Sequence, residues 1–187
     1  MSESALSLLP VAAEEFGKRV HAVPPDAWDR PTPASEWTVR DIVNHLVGEH
    51  LWAPELLGGA RVSDVGDRFD GDVLGNDPVR AWDEAIYRSL TAWGTTPPDR
   101  IVHLSFGDVP ATEYAEQMLL DLTVHGWDLA RGAGLDERME PEAVGHVLAY
   151  TERNAGGLAS SGLFDAPVEI DSDDPQDRLL ALLGRRP

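Results

Sequence analysis

Cysteine is absent from all 187 positions of the chain. That excludes disulfides, thiolate metal ligands and a cysteine nucleophile, so any thiol chemistry requires a thiol brought in from outside. Lysine is nearly absent as well: Lys18 is the only one, and the 15 basic residues face 33 acidic ones. The resulting formal charge of −18 repels nucleic acid and anionic lipid, which bind through clustered Lys and Arg. Neither is an expected partner. No apolar run approaches the length needed to cross a bilayer. The N-terminus, with Glu3, Glu14 and Glu15 around a short apolar stretch, lacks the basic-then-apolar build of a signal peptide. A cytoplasmic protein is the expectation. There is no Gly-rich phosphate loop and no G-x-S-x-G elbow. The acidic stretch Asp64 to Asp72 lacks EF-hand spacing and reads as a solvated, turn-rich loop.

What the chain does have is a 42% hydrophobic share, enough at this length for one globular core, and we expect a single domain over residues 1–187. Leu6, Leu9, Ala13, Phe16 and Val20 recur at steps of three and four, a helix with one buried stripe, starting near Pro10 and stopped by Val23-Pro24-Pro25. Thr38 with Asp41 forms a capping box that opens a second helix, with Val39, Ile42, Val43 and Leu46 as its apolar sector and an end near Trp52 or Glu55. Residues 58–76 read as a loop, and Asp77-Pro78 opens a third helix closed by Gly94. Val102, Leu104 and Phe106 alternate with polar residues, which predicts a short strand turning at Gly107-Asp108. A fourth helix is expected from Ala111 to Arg131, ending at Gly132, and a fifth from Pro141 to before Gly156. Pro167 to Ile170 suggests a short strand, and Asp174-Pro175 opens a last helix through Leu183. Four long helices with short accessory pieces make a mostly α four-helix bundle, with a short extended segment and extra C-terminal helices. At least one of the long connections, 57–76 or 95–110, is expected to cross the bundle.

The chemistry concentrates on the fourth helix. Asp121 and His125 lie one turn apart, about 40° around the axis, and Gln117 and Asp128 fall within about 80° of the same line. Apolar neighbours flank this narrow polar stripe on both sides. A carboxylate and an imidazole directed toward a core need a partner for both. That partner is either a divalent metal or, in the plainer reading, each other, as a hydrogen-bonded pair that fixes the bundle's register. The second helix offers His45 and Glu49 one turn apart, with His50 beside them. Angle alone favours His50 as the buried group, whereas three ligands from two helices with a position left open is the pattern of a catalytic metal site. Asp128 either orients a ligand or pairs with Arg131. Trp127 reads as core, and His21, His103 and His146 need no special role.

The segments Glu36-Trp-Thr-Val-Arg-Asp-Ile-Val-Asn-His45-Leu, Phe106-Gly-Asp-Val-Pro-Ala-Thr-Glu113 and Val124-His-Gly-Trp-Asp-Leu-Ala-Arg131 resemble those of a bacterial metal-binding family. It belongs to the DinB-like superfamily and is related to the N-terminal domain of mycothiol-dependent maleylpyruvate isomerase. The resemblance implies a DinB-like four-helix bundle in which His45, Asp121 and His125 hold a divalent metal, zinc first and nickel or iron as alternatives the donors admit. Glu49 and Asp128 would support them from behind. The first ligand on the fourth helix is commonly His or Glu in the superfamily; here it is Asp121, one methylene shorter than Glu. The implied activity is that of a thiol-dependent transferase or isomerase whose reactants are a small-molecule thiol such as mycothiol and an electrophile. The resemblance also suggests a homodimer. The alternatives are a non-catalytic or stress-related bundle whose metal is structural, and a metal-free interaction domain.

Overall fold

The computed structural model describes residues 4–34, 36–157 and 164–187. Its elements are α1 (Ala5–Ala22), α2 (Val39–Leu57), a single turn α3 (Val62–Val65), α4 (Pro78–Thr95), β1 (Ile101–Leu104), β2 (Gly107–Pro110), α5 (Ala111–Ala133), α6 (Pro141–Arg153) and α7 (Pro175–Leu182). None of the described helices is long and apolar enough to cross a membrane.

Helix starts follow their capping residues. Thr38 Oγ1 accepts from the Asp41 N–H at 3.2 Å and the Thr38 N–H donates to Asp41 Oδ2 at 2.9 Å, so two otherwise orphaned donors of α2 are satisfied reciprocally. Asp77 accepts from the Arg80 N–H and places Pro78 in the first turn of α4, where its missing donor does no harm. Helix α1 begins earlier than the proline suggested. Ser4 and Ser7 cap it reciprocally, and Pro10 lies inside the helix. Burial of Ala5, Leu8 and Leu9 outweighs the one backbone bond the proline removes, on a side of the helix where Pro10 itself is exposed. Similarly α2 continues through Pro54 to Leu57.

Four helices form the bundle. Helix α1 packs against α4 and α5, and α2 packs against the same two, so α1 lies diagonal to α2 and α4 diagonal to α5. The expected crossing is made by residues 96–110, which carry the chain from α4 to α5; residues 58–77 join the neighbours α2 and α4. The centre is filled by Leu8, Leu9 and Phe16 of α1, Ile42 and Leu46 of α2, Trp82 of α4, and Met118, Leu119 and Leu122 of α5, all buried. Phe16 and Trp82 meet with ring centroids 4.7 Å apart.

Four local expectations are corrected. Strand β1 turns at Ser105-Phe106 rather than Gly107-Asp108, pairing antiparallel with β2 from Leu104↔Gly107 to Ile101↔Pro110. Phe106 therefore sits on the turn, 66% exposed, instead of continuing the apolar side of the strand. Helix α5 passes through Gly132 and ends at Gly134, whose φ of 73° gives the left-handed cap. The close packing of this turn calls for a glycine at position 132, since a Cβ there would stand 2.8 Å from Thr32 Cγ2 and 3.0 Å from Val39 Cγ2. Residues 167–170 are not a strand: the Val168 N–H donates to the Ala181 carbonyl in the last turn of α7 instead of to a ladder. The stretch 58–76 contains the turn α3, and its Asp72 is held by Arg40 at 2.9 Å rather than free in solvent.

Candidate metal centre

Helices α2 and α5 are neighbours, and each brings its polar residues to the seam between them. His45, Asp121 and His125 each offer a ligand atom, and these atoms all lie within 4.8 Å of one another. His45 Nε2 stands 3.4 Å from Asp121 Oδ2. Two ligands bound tetrahedrally to one zinc at about 2.0–2.2 Å are separated by roughly 3.3–3.5 Å, so this spacing is compatible with a shared ion as well as with a direct ion pair. The His45 and Asp121 side chains are 28% and 25% exposed, so the seam opens to solvent on one side. The donor set of two imidazoles and a carboxylate fits a divalent cation of the zinc, nickel or iron type.

The electrostatics are those of acid and base groups that stabilise one another. Burial pulls the His45 imidazole down, but the nearby Asp121 carboxylate, with Glu49 beyond it, outweighs that and holds it above its ordinary value. Burial pushes the Asp121 carboxyl up, and His45 and His125 more than reverse this, leaving it low. Glu49 is pushed up to about 6 by burial and by repulsion from Asp121, partly offset by His45. It lies within electrostatic reach of His45 and Asp121 without joining the cluster.

Asp128 stands behind the site. Its Oδ2 is 3.0 Å from His125 Nδ1, the carboxylate–histidine arrangement that fixes a ligand's tautomer and orientation. Arg131 is not its partner. That guanidinium donates to Glu137 and to the Arg186 carbonyl and lies over the Trp127 ring at 4.3 Å. Asp128 is paired instead with Arg185, whose Nη2 donates to Oδ2 at 2.9 Å. Burial raises the Asp128 carboxyl, and the bonds from His125 and Arg185 bring it below its usual value.

His50, which helical angle favoured, points to the other neighbour of α2. It is fully buried, with Nδ1 2.8 Å from Ser89 Oγ of α4 and its ring edge-on to Trp82. Burial depresses its imidazole to about 3. Trp127 is buried in the core. His21, His103 and His146 pair with Asp83, Asp108 and Glu116.

Two site residues escaped the sequence reading. One is Arg185. The other is Trp37, whose ring centroid lies 4.9 Å from that of His45 and 5.5 Å from that of His125. Trp37 precedes α2 on an irregular segment. Its N–H donates to the Ala34 carbonyl, its carbonyl accepts from the Thr32 N–H and hydroxyl, and Glu36 before it takes a φ of 66°, a region that costs a non-glycine residue about 1–2 kcal/mol. The ring thus covers both imidazoles from a backbone held in place by local bonds. Its position directly before the Thr38 cap was the available signal.

The chain matches the family model described as the mycothiol maleylpyruvate isomerase N-terminal domain over residues 9–130, a span that includes His45, Asp121 and His125 but not Arg185. It is 29% identical over 185 residues to two uncharacterized proteins of Mycobacterium tuberculosis, one from strain CDC 1551 / Oshkosh and one from strain ATCC 25618 / H37Rv, with 93% of each chain covered. Its fold is similar to a crystal structure of the mycothiol-dependent maleylpyruvate isomerase, with a TM-score of 0.60, 15% identity, and coverage of 82% of this chain and 71% of that one. For a histidine-to-alanine mutant of that isomerase the TM-score is 0.59 at 17% identity, with coverage of 78% and 66%. The chain therefore spans about two thirds of the length of the mutant structure it matches. With the family model covering most of the bundle, the chain belongs to the mycothiol maleylpyruvate isomerase N-terminal domain family.

Proposed function

We propose that His45, Asp121 and His125 hold a divalent cation, zinc before nickel or iron, at an open site that admits a low-molecular-weight thiol, and that the protein is a thiol-dependent transferase or isomerase. Mycothiol is the thiol that the family's name supplies. The observation that carries this reading is the meeting of three donors from two helices within 4.8 Å, at a seam that is partly open to solvent. When bound, the cation lowers the pKa of a thiol and so raises its nucleophilicity at neutral pH.

The chain's own residues do the rest. Asp128 orients His125 through Nδ1. The Trp37 ring lies against His45 and His125 and shields them from water on that side. Because the chain has no cysteine, no side-chain thiol competes with the incoming one. The electrophile enters from the exposed side of His45 and Asp121.

The test has two steps. Protein purified without an affinity tag is analysed for metal and titrated with zinc, alongside His125→Ala; the expectation is one ion per chain, lost in the variant. Unchanged stoichiometry in His125→Ala removes the site. The zinc-loaded protein is then screened for thiol transfer to small electrophiles. The second reading, a structural ion that ties α2 to α5, is favoured by the origin of the donors on two helices. It predicts a much lower melting temperature after chelation and no thiol turnover, since an ion bound only by the folded state contributes RT ln(1 + [L]/Kd).

A further inference from the structure

Beyond the span of the family match, the C-terminal tail brings Arg185 to a buried charge pair with Asp128. Asp128 is 0% exposed and Arg185 5%, and ions removed from water in this way persist only when their bonding capacity is filled. Arg185 meets that condition. Its Nε donates to Asp128 Oδ1 at 3.3 Å and its Nη2 to Oδ2 at 2.9 Å, a two-pronged fork that fixes the plane of the carboxylate, and Nη1 donates to the Leu183 carbonyl at 2.8 Å. The oxygen that takes the Nη2 bond is the one 3.0 Å from His125 Nδ1. The tail is itself anchored. Gly184 turns it at a φ of 79°, the Arg185 N–H donates to the Leu180 carbonyl at 2.9 Å, and Arg131 donates to the Arg186 carbonyl at 2.6 Å.

We infer that Arg185 is a positioning residue for the candidate metal centre: through Asp128 it holds His125 as the Nδ1–H tautomer, leaving Nε2 as the lone-pair nitrogen available to an ion. A carboxylate held only by His125 could turn about its Cβ–Cγ bond. The fork removes that freedom, so the imidazole has one acceptor in one place. The consequence for ion binding rests on the proposed function; the tautomer does not.

The experiment measures both in the full chain. Long-range 1H–15N NMR of the ion-free protein reads the His125 tautomer, and competition with a chromophoric chelator reads zinc affinity, for wild type, Arg185→Ala and Arg185→Lys. Expected are a single Nδ1–H tautomer in wild type and mixed tautomers in Arg185→Ala, with zinc affinity lower by about 10- to 100-fold. Methylguanidinium added to Arg185→Ala should restore both, and Arg185→Lys, which cannot form the fork, should fall between. An Nε2–H tautomer in wild type overturns the inference, whether or not the variants fold. So does an Arg185→Ala protein with wild-type tautomer and wild-type affinity. If Arg185→Ala does not fold, Arg185→Lys carries the same comparison, and an unshifted tautomer and affinity there overturn the inference too. A tautomer that shifts with Arg185 in a chain that binds no zinc supports the positioning role and removes the metal reading instead.

Discussion

His50 makes the ion-free protein sensitive to acid over a defined range. The imidazole is fully buried between α2 and α4, and its Nε2 has no partner among the described residues. Protonation would place a charge there and leave the imidazolium with an Nε2–H that nothing accepts. Attraction from Asp121 does not compensate, and the folded value falls from 6.5 to about 3. In the unfolded chain the group protonates near its ordinary value. Between those limits the unfolded state binds the extra proton and the folded state does not, so stability rises with pH and is lost as pH falls from about 6.5 toward 3. The slope is about 1.4 kcal/mol per pH unit. At pH 5 the loss is therefore about 2 kcal/mol, a large share of the roughly 5–15 kcal/mol that holds a domain together.

Other groups titrate in the same range, Glu49 at about 6 among them, so a difference between two proteins is required. His50→Gln keeps an amide in reach of Ser89 and removes the titration. Urea denaturation of chelator-treated wild type and His50→Gln at pH 7 and pH 5 isolates the contribution. Wild type should lose about 2 kcal/mol more than the variant over that interval. Equal losses in the two proteins would refute the argument, because they would mean that burial at this position does not depress the imidazole.

Three further outcomes follow from the geometry. Thr38→Ala removes the reciprocal cap of α2 and should cost about 1 kcal/mol of unfolding free energy in urea, whereas Thr38→Ser should cost little. Gly132→Ala drives a methyl group against Thr32 Cγ2 at 2.8 Å and Val39 Cγ2 at 3.0 Å and should cost about 1–3 kcal/mol by the same assay; a neutral result would show that the segment before α2 yields freely. Zinc binding should change the tryptophan emission of wild type through Trp37, which faces both imidazoles at 4.9 and 5.5 Å. In Trp37→Phe that change should largely disappear while the ion still binds, and an undiminished change would place the reporter elsewhere.

The fold was legible where the signal is local. Thr38 with Asp41 and Asp77 with Pro78 specify their helix starts because donor and acceptor are three residues apart, and both starts agree with the structure. Prolines and glycines misled the reading for a common reason: their cost depends on what surrounds them. Pro10 is carried by the Ser4–Ser7 cap and buried neighbours, Gly132 is fixed by contacts from the segment before α2 rather than by its own backbone, and Gly107 begins a strand instead of turning one. None of those surroundings is visible in a window of a few residues.

The site divides along the same line, with a consequence for how it is built. Asp121, His125 and Asp128 could be read from one helix, since each is within seven residues of the others. The choice of His45 over His50 could not. His45 lies at the flank of the α2 apolar sector, toward α5, and His50 nearer its middle, toward α4, about 140° away around the axis, and a helical angle does not say which neighbour carries the partner residues; the family resemblance supplied that choice. Arg185 carries no periodic signal and meets Asp128 across 57 residues. The α5 half of the site is therefore ordered within one helix and by the tail behind it, while the α2 half depends on how firmly that helix docks at its capped end beside Trp37. Loosening the cap should weaken ion binding through His45 and leave the His125 tautomer unchanged, whereas removing Arg185 should weaken ion binding and change the tautomer with it.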